Sequence, residues 1–206
     1  MINAAMKIKL VDLAHIRAGH PFRGAVEAVD SGSVVVAQMK DILPTGKIDW
    51  SSAVRTQLTG RKEPDWLKTG DILFVTRGSR YYAACVGRPP GLAVCGPHLF
   101  HLTVRDADQV LPEFLVWLVG QGPVQRQLLQ AASGSLQLSV TRQSLEMLEI
   151  SLPPIKTQRH IADLNSMAAR ERTLLTALIH NREQELEALA YALANGQPLN
   201  LSLGHP

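Results

Sequence analysis

Residues 150–164, ISLPPIKTQRHIADL, decide the fold, because the character of the sequence changes abruptly at Leu152-Pro153-Pro154. From Thr157 to Leu193 there is no glycine or proline, and alanine, leucine, glutamate, arginine and glutamine dominate. Such a composition favours one uninterrupted helix. At about 1.5 Å per residue, about 37 residues make a rod of about 55 Å. We predict a long helix over 154–194, followed by a flexible tail over 195–206 that contains glycine and proline.

Apolar residues recur along this helix at spacings of three and four. The stripe runs through Ile161, Leu164, Ala168, Leu175 and Leu178 and, beyond Ile179, continues through Arg182, Leu186, Leu189 and Leu193. The spacing is typical of a coiled-coil arm that needs a partner. The predicted partner interface consists of Ile161, Leu164, Leu175, Leu178, Leu186 and Leu189. The alternative is that these residues pack against the rest of the same chain.

Upstream, residues 1–153 predict one compact, strand-rich domain. β-branched or apolar runs bounded by glycine and aspartate predict strands over 34–39, 71–75, 82–86 and 99–104. Dense turn sequences occupy 44–47, 68–71 and 88–91. Pro112 opens a helical pattern and a second helix starts near Pro123, so that helices cover a sheet. The predicted fold class is α+β, a strand-rich domain with a few covering helices followed by the long coiled-coil helix.

Composition and charge describe an ordinary globular protein with a basic side. Apolar residues make up 46% and charged residues 19% of the chain. A net charge of +3 permits binding to a polyanion without requiring it. Residues 1–153 hold 16 basic against 13 acidic residues, and no acid stands between Asp71 and Asp106. The N-terminus lacks a signal-peptide pattern and no run of 18 apolar residues occurs, so we expect a cytoplasmic protein.

Motifs that would indicate catalysis are missing from the sequence. There is no phosphate-binding loop and no dinucleotide fingerprint. The stretch Ser133-Gly134-Ser135 is not a nucleophile elbow, and no acid-base pair accompanies it. His98 and His101 could face each other on a loop, but two imidazoles without a nearby carboxylate or thiolate make a poor metal site. Cys85 and Cys95 are expected to be inert core thiols. We predict no catalytic residue and no metal.

The order of several segments resembles a known family. The opening over 13–24, LAHIRAGHPFRG, is followed by VAQMKDI over 36–42 and GDILFVTRGS over 70–79. Gly134-Ser135 then leads to Leu145, ISLPP over 150–154 and QRHIA over 158–162. Over 8–193 this set resembles one half of the specificity subunit of type I restriction-modification systems. A full subunit resembles two such units in tandem, and this chain has one.

The resemblance implies a non-catalytic subunit that reads double-stranded DNA and holds modification subunits. Those subunits would supply S-adenosylmethionine-dependent methyl transfer, so that this chain itself binds no cofactor. A translocating restriction subunit could join them. Two copies that pair their helices in antiparallel fashion would rebuild the full-size subunit as a homodimer. Residues 1–153 would then be the target-recognition domain and 154–194 the spacer helix.

The candidate DNA-binding residues lie in predicted loops. Arg77, Gly78, Ser79, Arg80, Tyr81 and Tyr82 offer forked guanidinium groups, which pair bidentately with guanine, and aromatic faces. One tyrosine should point into the core, because neighbours on a strand face opposite ways. Three cations, Arg23, Lys40 and Lys47, are predicted phosphate contacts. A polar loop contains Ser133, Gly134, Ser135 and Gln137, of which Gln137 could read adenine. The alternative for each is an ordinary surface position.

Two other functional classes remain open from the sequence. The same domain and coiled coil could form a protein-interaction module without DNA specificity, its basic side being incidental. A stand-alone DNA enzyme is the third class, for which no catalytic constellation was found. Salt-dependent binding of duplex DNA would distinguish a DNA-recognition subunit from a protein-interaction module.

Overall fold

The computed structural model describes residues 6–59, 63–132 and 138–196. Within these ranges nine strands occur: β1 (Met6–Lys9), β2 (Ala14–Ala18), β3 (Val34–Ala37), β4 (Val54–Thr56), β5 (Ile72–Val75), β6 (Ala83–Cys85), β7 (Ala93–Cys95), β8 (Leu99–Val104) and β9 (Glu149–Leu152). The same ranges contain the helices α1 (Leu10–Leu13), α2 (Pro112–Val119), α3 (Gly122–Ala131), α4 (Arg142–Glu146) and α5 (Ile155–Ala194). The predicted strands, the two helices that begin near Pro112 and Pro123, and the long helix are confirmed.

The strands form three sheets. A four-stranded antiparallel sheet has the order β2-β8-β5-β6. A three-stranded sheet has the order β4-β3-β7, in which β3 runs antiparallel to β4 and parallel to β7. The third sheet pairs β1 with β9, so that the two ends of the first domain meet. This pairing joins strands about 140 residues apart, which is why local sequence did not predict β1.

Strand β5 lies at the centre of the packing, and all four of its residues are buried. Ile72 and Phe74 face one apolar cluster, while Leu73 and Val75 face another. The first cluster packs the four-stranded sheet against α1, α2, α3 and α4. The second lies between the four-stranded and the three-stranded sheets. Because successive strand residues face opposite sides, a run of four apolar residues marks a strand covered on both faces.

The first turns of α5 are anchored by a buried glutamine. The Gln158 side chain is fully buried, and its Oε1 accepts a hydrogen bond from Leu111 N at 3.0 Å. Its Nε2 donates to Gln109 O at 2.9 Å and to Pro153 O at 2.8 Å. Each hydrogen-bonding site of the amide therefore meets a backbone group, as buried polar groups require. Replacement of this amide would leave three backbone groups unpaired.

The chain divides into two compact units after Ala162. The first unit therefore takes in the first two turns of α5 as well as residues up to 153. In the second unit, α5 continues to Ala194 as an unbroken helix. The predicted tail falls largely outside the described residues, which end at Gly196.

Candidate nucleic-acid interface

One edge of the four-stranded sheet gathers the loops that carry most of the predicted site. Strand β5 ends there at Val75, beside Leu99 at the start of β8. Ala18, the last residue of β2, pairs with Phe100 at the same edge. Ala83, the first residue of β6, pairs with Phe74. The segments that follow β2 and β5 and precede β6 and β8 therefore lie together.

The three-stranded sheet brings another segment to this edge. The amide of Gly96, between β7 and β8, donates to Ala37 O at 2.8 Å. The segment after β3, which holds Lys40, therefore starts next to the turn before β8. On the other side, Gly19 N donates to Leu99 O at 3.1 Å. A Cβ on Gly19 would collide with the carbonyl of Gly96, so this close approach requires glycine.

Residues 77–80, here named the Arg77 loop, are held firmly at both ends. Before the loop, the hydroxyl of Thr76 donates to His98 O at 2.8 Å, and Thr76 O accepts from Val140 N at 2.9 Å. After it, the ring of Tyr81 is buried and stacks on Phe74 with centroids 6.1 Å apart. The result is a short lobe between two fixed points.

The Arg77 loop presents positive charge that no ion pair among the described residues neutralises. Ser79 and Arg80 are exposed and Arg77 is half-buried. Gly78 has φ +131°, a conformation that only glycine adopts readily. Over the described ranges, neither arginine forms an ion pair with an acid. Arg80 has one weak contact, from Nη2 to Gly120 O at 3.5 Å.

The other predicted cations occupy different places. Arg23 is exposed in the segment after β2. Lys40 is exposed, and its Nζ donates to Ser52 O at 3.1 Å. Lys47 is exposed in a turn whose Gly46 carbonyl accepts from Cys85 N at 3.1 Å. Since Cys85 ends β6, Lys47 lies at the far end of that strand from the Arg77 loop.

Of the two predicted tyrosines, Tyr81 lies in the core and Tyr82 is half-buried against the second cluster. A fully buried ring cannot contact a base, so we leave Tyr81 out of the DNA-contacting set.

The predicted polar loop, Ser133, Gly134, Ser135 and Gln137, lies outside the described residues. Just after them, Ser139 forms an antiparallel bridge with Arg77. Residues 138–140 therefore run beside the Arg77 loop.

The predicted interface residues of the long helix differ in exposure. Within the second unit, Leu164, Leu175, Leu178 and Leu186 are between 53% and 66% exposed, and Leu189 is half-buried. Ile161, in the first unit, packs against the first core cluster. Ile161 is therefore partly buried against its own chain, in line with the alternative expectation for this residue, and we leave it out of the proposed interface.

One of the two histidines considered from the sequence as a metal pair contacts a buried carboxylate. His101 lies in β8, with Nε2 2.8 Å from Asp71 Oδ2, whereas His98 is exposed. Asp71 also accepts from Lys68 N at 2.8 Å and from Thr103 Oγ1 at 3.1 Å. Burial opposes ionisation of Asp71, but the bonds from His101, Lys68 and Thr103 outweigh it and lower its pKa. The expectation that no carboxylate lies near His101 was wrong.

The thiols of the two cysteines are poorly ionised. Cys95 is buried and Cys85 half-buried. Burial, helped by Glu113, raises the pKa of Cys85 to about 12, so its thiolate is rare. Over the part of the chain that the structure describes, no three histidine, cysteine, aspartate or glutamate side chains are grouped to hold a metal. In that part, too, no helix is long and apolar enough to span a membrane.

Comparison with protein families matches residues 4–188 to the type I restriction modification DNA specificity domain. The match spans both the strand-rich domain and most of α5. No curated protein matches the chain.

Several solved structures share the fold. The S subunit of a type I restriction-modification system from M. genitalium aligns with TM-score 0.58 and 16% identity, over 93% of this chain and 46% of that one. The HsdS subunit from Thermoanaerobacter tengcongensis aligns with TM-score 0.61 and 18% identity, over 95% and 45%. A chain from a structure on complex assembly and conformational transition of the type I R-M system gives 0.67 and 18%, over 93% and 45%.

The chain thus spans about half the length of each of these structures. At such identities the likeness concerns the fold alone. It confirms the predicted fold class, a mixed strand and helix domain followed by a long helix.

Proposed function

The chain belongs to the family of type I restriction modification DNA specificity domains, and from this premise we propose that it reads the sequence of double-stranded DNA through the Arg77 loop. The family predicted from the sequence is thereby confirmed, and with it the assignment of the chain as a specificity element that is not itself catalytic. The use of the loop is our proposal. Acting on DNA, the protein would work in the cytoplasm.

The observation that carries the proposal is a pair of arginines on a fixed loop that have no acidic partner in the part of the chain that the structure describes. Arg77 and Arg80 flank Gly78 and Ser79, at the edge where the segments after β2 and β3 also begin. Phosphate contacts need cations that are not already neutralised, and base contacts need donors in fixed positions. Among the predicted phosphate contacts, Arg23 and Lys40 belong to those neighbouring segments. Lys47, at the far end of β6, is the weakest candidate.

The partners follow from the family. We expect modification subunits to bind this chain and to carry S-adenosylmethionine, and a restriction subunit to be able to join them. We propose further that a second copy of the chain pairs with it through α5. The exposed leucines of α5, Leu164, Leu175, Leu178 and Leu186, supply the apolar stripe for antiparallel pairing.

The DNA proposal is tested by selecting bound duplexes from a random pool with the full chain and then measuring affinity at several salt concentrations. Arg77→Ala and Arg80→Ala should each lower the salt slope of binding by about one. The matched control is Arg88→Ala, an exposed arginine in the same acid-free run but beyond the opposite end of β6. Affinity that ignores salt and both substitutions would favour a protein-interaction module instead.

Pairing through the helix is tested separately by sedimentation of a Leu175→Glu, Leu178→Glu double variant. A buried charge without a partner is costly, so the variant should sediment as a monomer. Glu171→Gln and Glu183→Gln, on the same helix, serve as controls for changes in surface charge. A dimer that survives the leucine substitutions would refute this interface.

A further inference from the structure

The backbone of Tyr81, directly after the Arg77 loop, is clamped by one side chain from α3. Gln125 Nε2 donates to Tyr81 O at 2.7 Å, and Gln125 Oε1 accepts from Tyr81 N at 3.2 Å. The glutamine amide thus pairs with both backbone groups of one residue, as a neighbouring strand would. The same Nε2 donates to Val119 O at 2.6 Å, at the end of α2.

This clamp replaces pairing that the four-stranded sheet does not provide at this point. Strand β6 begins only at Ala83, and just before it Val75 N donates to Tyr82 O at 3.0 Å, a backbone bond between the two sides of the loop. Without Gln125, the N–H and C=O of Tyr81 would be left without these partners beside a buried ring. Such groups either cost free energy or draw the backbone out toward water.

We propose that Gln125 is a positioning residue for DNA readout, which fixes the Arg77 loop so that its two guanidinium groups meet the bases in one register. The inference rests on the proposed function, because it assigns a role to the support of that same loop. Arginine discriminates guanine only when both of its donors are in place. A loop ordered in advance also avoids the entropy cost of being ordered on binding.

A second glutamine of α3 offers a matched control. Two residues further along, Gln127 Nε2 donates to Glu149 O at 3.0 Å and Gln127 Oε1 accepts from Glu149 N at 3.3 Å. It is the same kind of backbone clamp on the same helix, but it holds β9 and not the Arg77 loop. A substitution that acts only through the stability of α3 should therefore appear at both positions.

The experiment compares Gln125→Met and Gln127→Met in the full chain, since methionine keeps the size of the side chain and removes its hydrogen bonds. The probes are the duplex selected by the wild type and a scrambled duplex of equal length. For Gln125→Met, discrimination between the two duplexes should fall by about tenfold, within the range of one lost bidentate contact. Binding of the scrambled duplex should change little, because both charges remain. Gln127→Met should discriminate like the wild type.

Amide hydrogen exchange provides a readout without DNA. Exchange at the Tyr81 amide should accelerate in Gln125→Met and stay unchanged in Gln127→Met. If Gln125→Met proves too unstable, Gln125→Glu serves as a second variant. Its carboxylate still accepts from Tyr81 N but puts an acceptor oxygen in place of the donor to Tyr81 O. The same loss of discrimination is expected from it. Unchanged discrimination in a folded Gln125 variant, or an equal loss in Gln127→Met, overturns the inference.

The two proposals fail in different ways. If the wild type selects no sequence, or if Arg77→Ala and Arg80→Ala do not weaken binding, the proposed function falls and the role of Gln125 falls with it. If the wild type discriminates through these arginines and Gln125→Met does so equally well, only the role of Gln125 is refuted.

Discussion

The two ends of strand β5 treat charge in opposite ways. At its start, Asp71 is buried and meets His101, Lys68 N and Thr103 within the chain. At its end, the exposed Arg80 has one weak contact to a carbonyl, and no acid among the described residues pairs with either arginine of the loop. The charge of Asp71 is thus bonded within the chain, whereas the charge of the Arg77 loop is open to a ligand.

The difference separates structural charge from charge available for binding. A buried ion is tolerated only when its partners are in place, so the Asp71 end contributes to the stability of the fold. An exposed arginine gains little from a surface ion pair, and the lack of one costs the fold little. Substitutions at the two ends should therefore affect different properties, stability at one and DNA binding at the other.

The largest effect is expected at the Asp71 end. Asp71→Asn should lower the free energy of unfolding by about 3 kcal/mol, because it removes one partner of a buried pair. Denaturant unfolding measures this loss, with the exposed Asp106→Asn as control. Sequence-specific DNA binding by the folded fraction should be preserved. Loss of discrimination at unchanged stability would contradict the division between the two ends.

The same variant should reveal itself in acid. The folded-state pKa of Asp71 is lowered from 3.8, so the stability that its ionisation contributes is complete above that value. It is lost as the pH falls from there through the folded-state pKa. The difference in unfolding free energy between wild type and Asp71→Asn should thus shrink as the pH falls below about 4. A difference that persists unchanged into stronger acid would speak against an ionised Asp71.

At the other end of β5, Arg77→Lys and Arg80→Lys should keep the charge and lose the fork. Each substitution should cost about 1–3 kcal/mol of discrimination between the selected duplex and a single-base variant if that arginine reads a guanine. The salt slope should stay as in the wild type, because the number of positive charges is unchanged. Competition binding measures both quantities. If the lysine variants discriminate like the wild type, the two arginines contact phosphates and do not read bases.

Gly78→Ala tests whether the conformation of the loop is required. With φ at +131°, an L-residue at this position is strained by about 1–2 kcal/mol. We expect lower stability and altered discrimination together, measured by unfolding and competition binding. Gly87→Ala is the control, since a Cβ there meets nothing within 4 Å. Normal stability and binding in Gly78→Ala would show that this backbone conformation does not matter.

The smallest effect is expected for Lys40→Ala. Its Nζ already donates to Ser52 O, so contact with a phosphate competes with an existing bond. The salt slope should fall by clearly less than the change of about one expected for Arg77→Ala. A decrease of one full unit in the salt slope would mean that Lys40 contacts a phosphate as fully as the arginines do.

Much of the fold was readable because its signals are local. The apolar runs at β3, β5 and β8, the prolines that open α2 and α3, and the absence of glycine and proline in α5 each act within a few residues. The pairing of β1 with β9 and the position of Ile161 were not readable in this way. Both depend on contacts between segments far apart in the chain, which no local pattern encodes.

The site was predictable in composition and not in geometry. The arginines on either side of Gly78 stood out because a long stretch around them lacks acids. The pairing of Asp71 with His101 spans 30 positions, and the clamp by Gln125 spans 44. A glutamine that holds a distant backbone is chemically indistinguishable, in sequence, from one that faces water.

The central claim is that the Arg77 end of β5 touches DNA and the opposite end does not. The most direct measurement places a photocrosslinking residue at Ser79 in one variant and at Gly87 in another, both exposed, and irradiates each with the duplex selected by the wild type. The account predicts a crosslink from position 79 that is lost in excess unlabelled target and no specific crosslink from position 87. Equal crosslinking at the two positions, or crosslinking at position 87 alone, would contradict it.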